Sequence, residues 1–222
     1  MATMDMPEAR QTVFVVDDDP AMREALKGLF RSVGWQVATH ASARAFLDTL
    51  QPDISGCLVL DVRMPGLSGL EFQRQLGSLG IRIPIVFITG HGDIPMSVAA
   101  MKAGAIEFLA KPFRDEDLLR AVREGFARDA ERQRRDAAVA RVRDRYRRLT
   151  PRERQVMAQV VTGRMNKQIA GDLGLSEITV KVHRGQVMQK MRALSLAELV
   201  RQSDLLALDD ADRKVENTET KV

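Results

Sequence analysis

Three residue types placed at intervals along the first half of the chain, Asp, Thr and Lys, could do chemistry together. Asp17-Asp18-Asp19 follows the apolar run Thr12–Val16, and Asp61 follows Cys57–Leu60. Thr89 ends the run Ile83–Thr89, and Lys111 follows Ala105–Leu109. Carboxylates converging on one small site repel each other and push at least one toward protonation. A hard divalent cation removes that conflict, and Mg²⁺ with retained waters suits a shallow aqueous site. Such a set supports phosphoryl transfer to an aspartate, which asks for an in-line carboxylate and positive charge on the equatorial oxygens. Asp61 is the candidate nucleophile, with Mg²⁺ at two oxygens, the Lys111 ammonium at a third and the Thr89 hydroxyl as donor. Each residue alone has a plainer reading: Asp caps helices, Thr suits strands and Lys can be solvated. Four of them at four strand ends argue for a shared site.

The elements that must position them follow a strand-then-helix rhythm. Short apolar runs at Thr12–Val16, Trp35–Ala38, Cys57–Leu60, Ile83–Thr89 and Ala105–Leu109 read as buried strands. Helix patterns fall between them at about 20–33, 42–50, 67–78, 94–103 and 115–126. Five strands alternating with five helices predict an α/β, doubly wound, flavodoxin-like parallel sheet over residues 10–126. Ligand sites in such sheets lie beyond the carboxyl ends of the strands, where these side chains fall.

Residues 115–149 read as one long helical stretch or two nearly joined helices. Leu119, Val122 and Phe126 make one apolar stripe; Val139, Val142, Tyr146 and Leu149 make another. Arg132, Gln133, Arg134 and Arg135 break the seam between them, so 127–148 is expected to be a linker helix with a short dimer seam. Eleven arginines lie between Arg128 and Arg154. They read first as a solvated helix face and second as supplementary phosphate contacts.

Charge divides the chain of 222 residues and net charge +4. Residues 1–125 hold 13 basic and 16 acidic side chains, whereas 126–202 hold 18 and 8. Two domains of opposite character follow, with nucleic acid a partner of the second. No run of about 18 apolar residues is present, which excludes a transmembrane helix. The single Cys57 cannot form an internal disulfide or a cysteine metal cluster. A reducing, cytoplasmic compartment is expected, and the N-terminal residues lack the pattern of a secretory signal.

From Thr150 the pattern is all helical, predicting a four-helix domain over 149–207. Thr150-Pro151-Arg152-Glu153 and Ser195-Leu196-Ala197-Glu198 are capping boxes; Asn166 and Ser176 are candidate caps between them. On a helical wheel Val180, Val187 and Met191 define a core side of the third helix, with Met188 flanking. Ile178, Lys181, Val182, Gly185, Gln186 and Gln189 lie opposite. Exposed methyls beside Lys and Gln suit the major groove, where methyls meet thymine and polar groups meet base edges. With the short helix before it and the Gly174-Leu175-Ser176 turn, the third helix completes a helix-turn-helix. The plainer alternative is a helical bundle with a solvated basic face. The polar, acidic residues 208–222 are expected to be disordered.

The segments VVDDDP, LVLDVRMPGLSGLE, PIVFITGHGD and KAGAIEFLAKPF resemble the receiver domain of two-component response regulators. The resemblance spans roughly residues 12–126. It implies that Asp17 and Asp18 are the family's acidic pair, Asp61 its phosphoacceptor, Thr89 its switch hydroxyl and Lys111 its lysine. It also implies Phe108 as the switch aromatic, the Arg63 backbone carbonyl as a metal ligand and a cis Lys111–Pro112 bond. Phe108 departs from family members with Tyr there and can move only by packing. A sensor histidine kinase, Mg²⁺ and a remodelled face of fourth helix and fifth strand are implied with it.

LTPRERQVMAQVVTG, NKQIAGDLGLSEITVKVHRGQVMQKM and SLAELV resemble the output domain of the FixJ/NarL, LuxR-type helix-turn-helix family, over about 149–200. Together the halves resemble FixJ-type transcription factors, and closely the regulators of styrene and toluene catabolism. The resemblance implies base contacts by Lys181 and Val182, beside which the wheel sets Gln186, and phosphate contacts near Thr179, His183, Arg184 and Lys167; the wheel sets His183 toward the core flank, where packing is the alternative role. Gly185 departs from members with Lys there. Also implied are dimerisation on phosphorylation, double-stranded promoter DNA and RNA polymerase as partners, no membrane and no enzymatic turnover beyond the receiver's own phosphorylation and dephosphorylation. Two other readings fit less well. Asp17-x-Asp19 resembles a haloacid-dehalogenase phosphatase motif, but Ala21 stands where that motif wants Thr or Val. A receiver with an RNA-binding half lacks the aromatic platforms single-stranded RNA needs.

Overall fold

The computed structural model describes residues 11–50, 54–90 and 94–219, with side chains described as far as residue 207. The chain divides into two compact units between Arg132 and Gln133. In the first, strands β1 (Thr12–Val16), β2 (Gln36–His40), β3 (Gly56–Asp61), β4 (Ile85–Thr89) and β5 (Glu107–Ala110) form one sheet. Helices α1 (Pro20–Ser32), α2 (Ala43–Leu47), α3 (Gly69–Ser78) and α4 (Ile94–Lys102) alternate with them, and α5 (Asp115–Arg147) follows β5. All pairings are parallel, in the order β2-β1-β3-β4-β5. That is the doubly wound sheet the rhythm predicts.

Both faces of the sheet are covered, which is why β3 and β4 are apolar up to their terminal Asp61 and Thr89 and buried at every residue. Val13, Val15, Val59, Val86 and Ile88 pack with Phe30 of α1 and with Leu118, Val122 and Phe126 of α5. Leu58, Leu60 and Phe87 pack on the other side with Phe46, Phe72 and Leu76 of α2 and α3. The order reverses between β1 and β3, so a crevice opens beyond their carboxyl ends. Asp17 and Asp61 stand there.

Helix α5 is one helix of 33 residues, longer than the 115–126 stretch the sheet rhythm required. Its Asp129, almost fully buried, accepts from the Gly56 N–H and the Ser55 hydroxyl, both at 3.0 Å. Arg132 pairs with the same carboxylate at 2.6 Å. This contact fastens the helix to the amino end of β3. The second stripe of α5 does not provide a free dimer seam. Val142, Tyr146 and Leu149 belong to the hydrophobic core of the C-terminal unit, and Val139 is buried as well.

That unit contains α6 (Pro151–Val160), α7 (Asn166–Leu173), α8 (Glu177–Met191) and α9 (Leu196–Glu219). The Thr150–Glu153 capping box forms with Pro151 in the first turn, and Ser176 caps α8 through the Thr179 N–H at 3.1 Å. Two local expectations are corrected. Met165 occupies the N-cap of α7, its N–H donating to Gln168, while Asn166 lies one residue inside the helix. Ser195 caps as expected, but Glu198 reaches back to the Leu194 N–H, one residue further than a regular box. The tail, expected to be disordered over 208–222, is helical as far as Glu219, and residues 220–222 lie outside the described residues. No Gly or Pro interrupts 196–219, and Leu205 and Leu206 anchor the helix on the core, so propagation is cheap once started.

Candidate functional sites: an acidic crevice and an exposed helix face

The crevice gathers residues far apart in sequence. The Lys111 ammonium donates to Asp17 Oδ2 at 2.9 Å and to Asp61 Oδ2 at 3.0 Å. Asp17 and Thr89 are fully buried, and Asp61 is nearly so. Asp18 is exposed, yet one oxygen from each of Asp17, Asp18 and Asp61 falls within a 4.8 Å group. The Arg63 N–H donates to Asp61 Oδ1 at 3.1 Å, and the Asp19 N–H to Asp17 Oδ1 at 2.8 Å. The Lys111 N–H donates to the Thr89 carbonyl at 2.7 Å, aligning β5's end with β4's, and the Lys111–Pro112 bond is cis. Phe108 is half-buried, its ring 6.2 Å from that of Phe87.

Burial pushes the Asp17 carboxyl above its usual range although Lys111 and the Asp19 N–H both bond it. Burial also acts to lower the Lys111 ammonium, but its bonds to Asp17 and Asp61 outweigh this and leave it raised. One ammonium therefore serves two carboxylates with a third beside them, and one of the carboxyls resists ionisation. This donor set fits a hard divalent cation with oxygen ligands. Asp19 has a different role, capping α1 through the Ala21 N–H. Arg23, one turn into α1, was not foreseen. It donates to the carbonyls of Asp17 and Asp18 at 2.7 and 2.9 Å, bracing the loop that carries both acids. Nothing in the local pattern marks that arginine, because carbonyl contacts leave no periodicity.

In the C-terminal unit α7, the left-handed Gly174 and α8 form the helix-turn-helix. Val180, Val187 and Met191 are fully buried. On the opposite face Ile178 is 79% exposed and Val182 58%, with Lys181, Gly185 and Gln186 exposed beside them. Exposure that high for β-branched residues marks a surface waiting for a partner. Lys167 is exposed on α7, whereas Thr179, His183 and Arg184 are half-buried. Thr179 shares a 2.8 Å hydroxyl bond with Ser176, and Arg184 bonds Asn166 at 3.3 Å, tying α8 to α7.

The frame behind α8 was only partly foreseen. Buried Glu153 takes two bonds from Lys190 at 2.7 and 2.8 Å while still accepting the Thr150 N–H. Burial works to raise the Glu153 carboxyl, yet Lys190 and the Thr150 N–H hold it below its ordinary value. Arg145 donates to the Met191 carbonyl at 3.2 Å and Arg152 to the Leu173 carbonyl, capping the ends of α8 and α7.

Comparison with known proteins agrees with both geometries. The response regulator receiver domain matches residues 13–123, and the luxR family of bacterial regulatory proteins matches 147–203. Nodulation protein W of Bradyrhizobium diazoefficiens is 57% identical over 196 residues, 88% of this chain and 86% of that protein. Transcriptional regulatory protein FixJ of Azorhizobium caulinodans is 49% identical over 93% of this chain and 98% of its own length. The solved response regulator StyR is 52% identical, covers 88% of this chain and 99% of its own, and superposes with a TM-score of 0.78. The chain belongs to the two-component response regulators that join a receiver to a luxR-type DNA-binding domain. Within that class it is a FixJ-like transcription regulator and not an enzyme. No described helix is long and apolar enough to cross a membrane.

Proposed function

We propose that Asp61 accepts a phosphoryl group from a phosphohistidine on a sensor kinase. An Asp61 carboxylate oxygen forms the new P–O bond as the N–P bond to the kinase histidine breaks, and the electron pair returns to the imidazole. Asp17, Asp18, Asp61 and the Arg63 carbonyl would hold Mg²⁺, which supplies charge neutralisation to the transferred group. Lys111 supplies positive charge from the opposite side, and Thr89 offers its hydroxyl to the phosphoryl group. Filling the crevice then draws Thr89 and Phe108 inward and favours a homodimer. The dimer presents two copies of α8 to a twofold promoter site. Lys181, Val182 and Gln186 meet base edges; Lys167, Thr179, His183 and Arg184 lie toward phosphates. Arg184 is the weakest of these, because Asn166 already engages it. The protein acts in the cytoplasm and recruits RNA polymerase as an activator.

The observation that carries this proposal is Lys111 bridging Asp17 and Asp61 beside Asp18 at the carboxyl ends of β1 and β3. Sedimentation with Mg²⁺, with and without beryllofluoride, tests it. A monomer-to-dimer shift is expected for the wild type and not for Asp61→Asn. Identical behaviour of the two proteins overturns the proposal.

A further inference from the structure

Within the C-terminal unit, α5, α6 and α9 line a cavity of about 530 Å³, in the range of small-molecule sites. One side is cationic, with Arg143 and Arg147 from α5 and Arg154 from α6. The other is apolar, with Tyr146, Met157 and Leu206. The cavity shares no residue with the acidic crevice or with the exposed face of α8.

Arg154 is held ready. Its guanidinium carbon stands 5.2 Å from the centre of the Tyr146 ring, and one amino nitrogen donates to the Arg147 carbonyl at 3.0 Å. Its Nε is buried and bonds nothing among the described residues. Arg128, Arg132, Arg148 and Arg164 each pair with an acid, but neither Arg147 nor Arg154 does so among the described residues. A buried N–H without an acceptor is unfavourable, and an oxyanion that turns the Arg154 guanidinium toward the cavity relieves it.

A guanidinium takes a planar or tetrahedral oxyanion through two parallel bonds. A bare inorganic ion would leave the Tyr146, Met157 and Leu206 side wet, and a neutral hydrocarbon would give the Arg147 and Arg154 guanidiniums no acid. We infer that this cavity binds a small amphipathic anion: a carboxylate or phosphate monoester on an apolar body of roughly eight to ten carbons. Such a ligand bridges the helix that enters the unit and the helix that leaves it. It gives the regulator a second input that needs no phosphoryl group.

Titration calorimetry of the full chain with octanoate, octyl phosphate and 1-octanol tests this without any phosphodonor. At least one anion is expected to bind saturably with one-to-one stoichiometry, and the tighter of the two identifies the headgroup. 1-Octanol is expected to bind at least about tenfold more weakly. The double variant Arg147→Gln/Arg154→Gln is expected to lose a similar factor, and Arg154→Lys, which keeps the charge but not the two parallel bonds, to lose part of it. If the double variant melts at a lower temperature, amide shifts of the wild type decide instead, since they must centre on the lining residues. Equal binding of octanol and the anions, unchanged affinity in a folded double variant, or no saturable binding overturns the inference.

Discussion

Lys111 reaches Asp17 across 94 positions of sequence and Asp61 across 50, so it is the residue on which the crevice's charge balance turns. Lys111→Met keeps the length of the side chain and removes the charge. Phosphorylation of Asp61 by a small phosphodonor, followed by intact mass, is expected to slow by about 100-fold, the size of effect seen when one positioned charge or donor is removed. An unchanged rate would mean that Lys111 serves packing alone. Glu153 carries a second residue-level prediction. Its carboxyl lies below its ordinary value of 4.5, so the stability it contributes is present above that pH and is lost as pH falls through the depressed value. Glu153→Gln should therefore cost about 1–3 kcal/mol at neutral pH, read by urea unfolding, with the gap to wild type closing in acid. A gap independent of pH would contradict the ion-pair account.

At the scale of elements, α5 is held near its middle and α8 at its carboxyl end by groups outside their own sequence neighbourhood. Asp129 satisfies the buried Gly56 N–H at the start of β3, and Gly56 itself has no alternative. A Cβ there would lie 1.9 Å from the Thr12 carbonyl oxygen, at a φ of +143°. Asp129→Ala leaves that N–H without an acceptor and should destabilise the receiver by about 1–3 kcal/mol while leaving phosphorylation of Asp61 unchanged. Denaturation and mass spectrometry on the same sample read both. For α8 the exposed Val182 and Lys181 stand on a frame set by the buried Val180, Val187 and Met191. Lys181→Ala should reduce discrimination of a cognate over a scrambled duplex by about 1–3 kcal/mol in fluorescence anisotropy. An equal loss on both duplexes would reassign Lys181 to the phosphate backbone.

For the whole molecule, the charge division matters most. An acidic half carries the Asp61 crevice and a strongly basic half, +10 over residues 126–202, carries the exposed helix. Binding to DNA should weaken steeply with salt, as phosphate contacts release counterions. If phosphorylation pairs two copies of α8, the preferred site has half-sites about one helical turn apart, roughly 34 Å. Inserting about half a turn between them should abolish the gain in affinity produced by beryllofluoride while sparing the weak binding of unmodified protein. A gain that survives the insertion would point to unmasking of single DNA-binding domains.

Sequence alone determined the parts of this protein that are repetitive or local. β-branched runs punctuated by helices specified the parallel sheet, because strands buried on both faces must be apolar throughout. An acid, a hydroxyl or a lysine at four of the five strand ends placed the crevice, since the carboxyl ends of such a sheet converge. Capping residues at Thr150 and Ser176, and the wheel of α8, did the same for the helix-turn-helix. Tertiary structure decided what depends on partners far along the chain. It consumed Val142 and Leu149 in the second core where the pattern offered a dimer seam, and it set Arg23 beneath two acidic residues. It joined Asp129 to Gly56 across 73 positions and Lys190 to Glu153 across 37. Periodicity records which face of an element is buried, but not which element buries it; a charge or a carbonyl bond to a distant strand leaves no period to read.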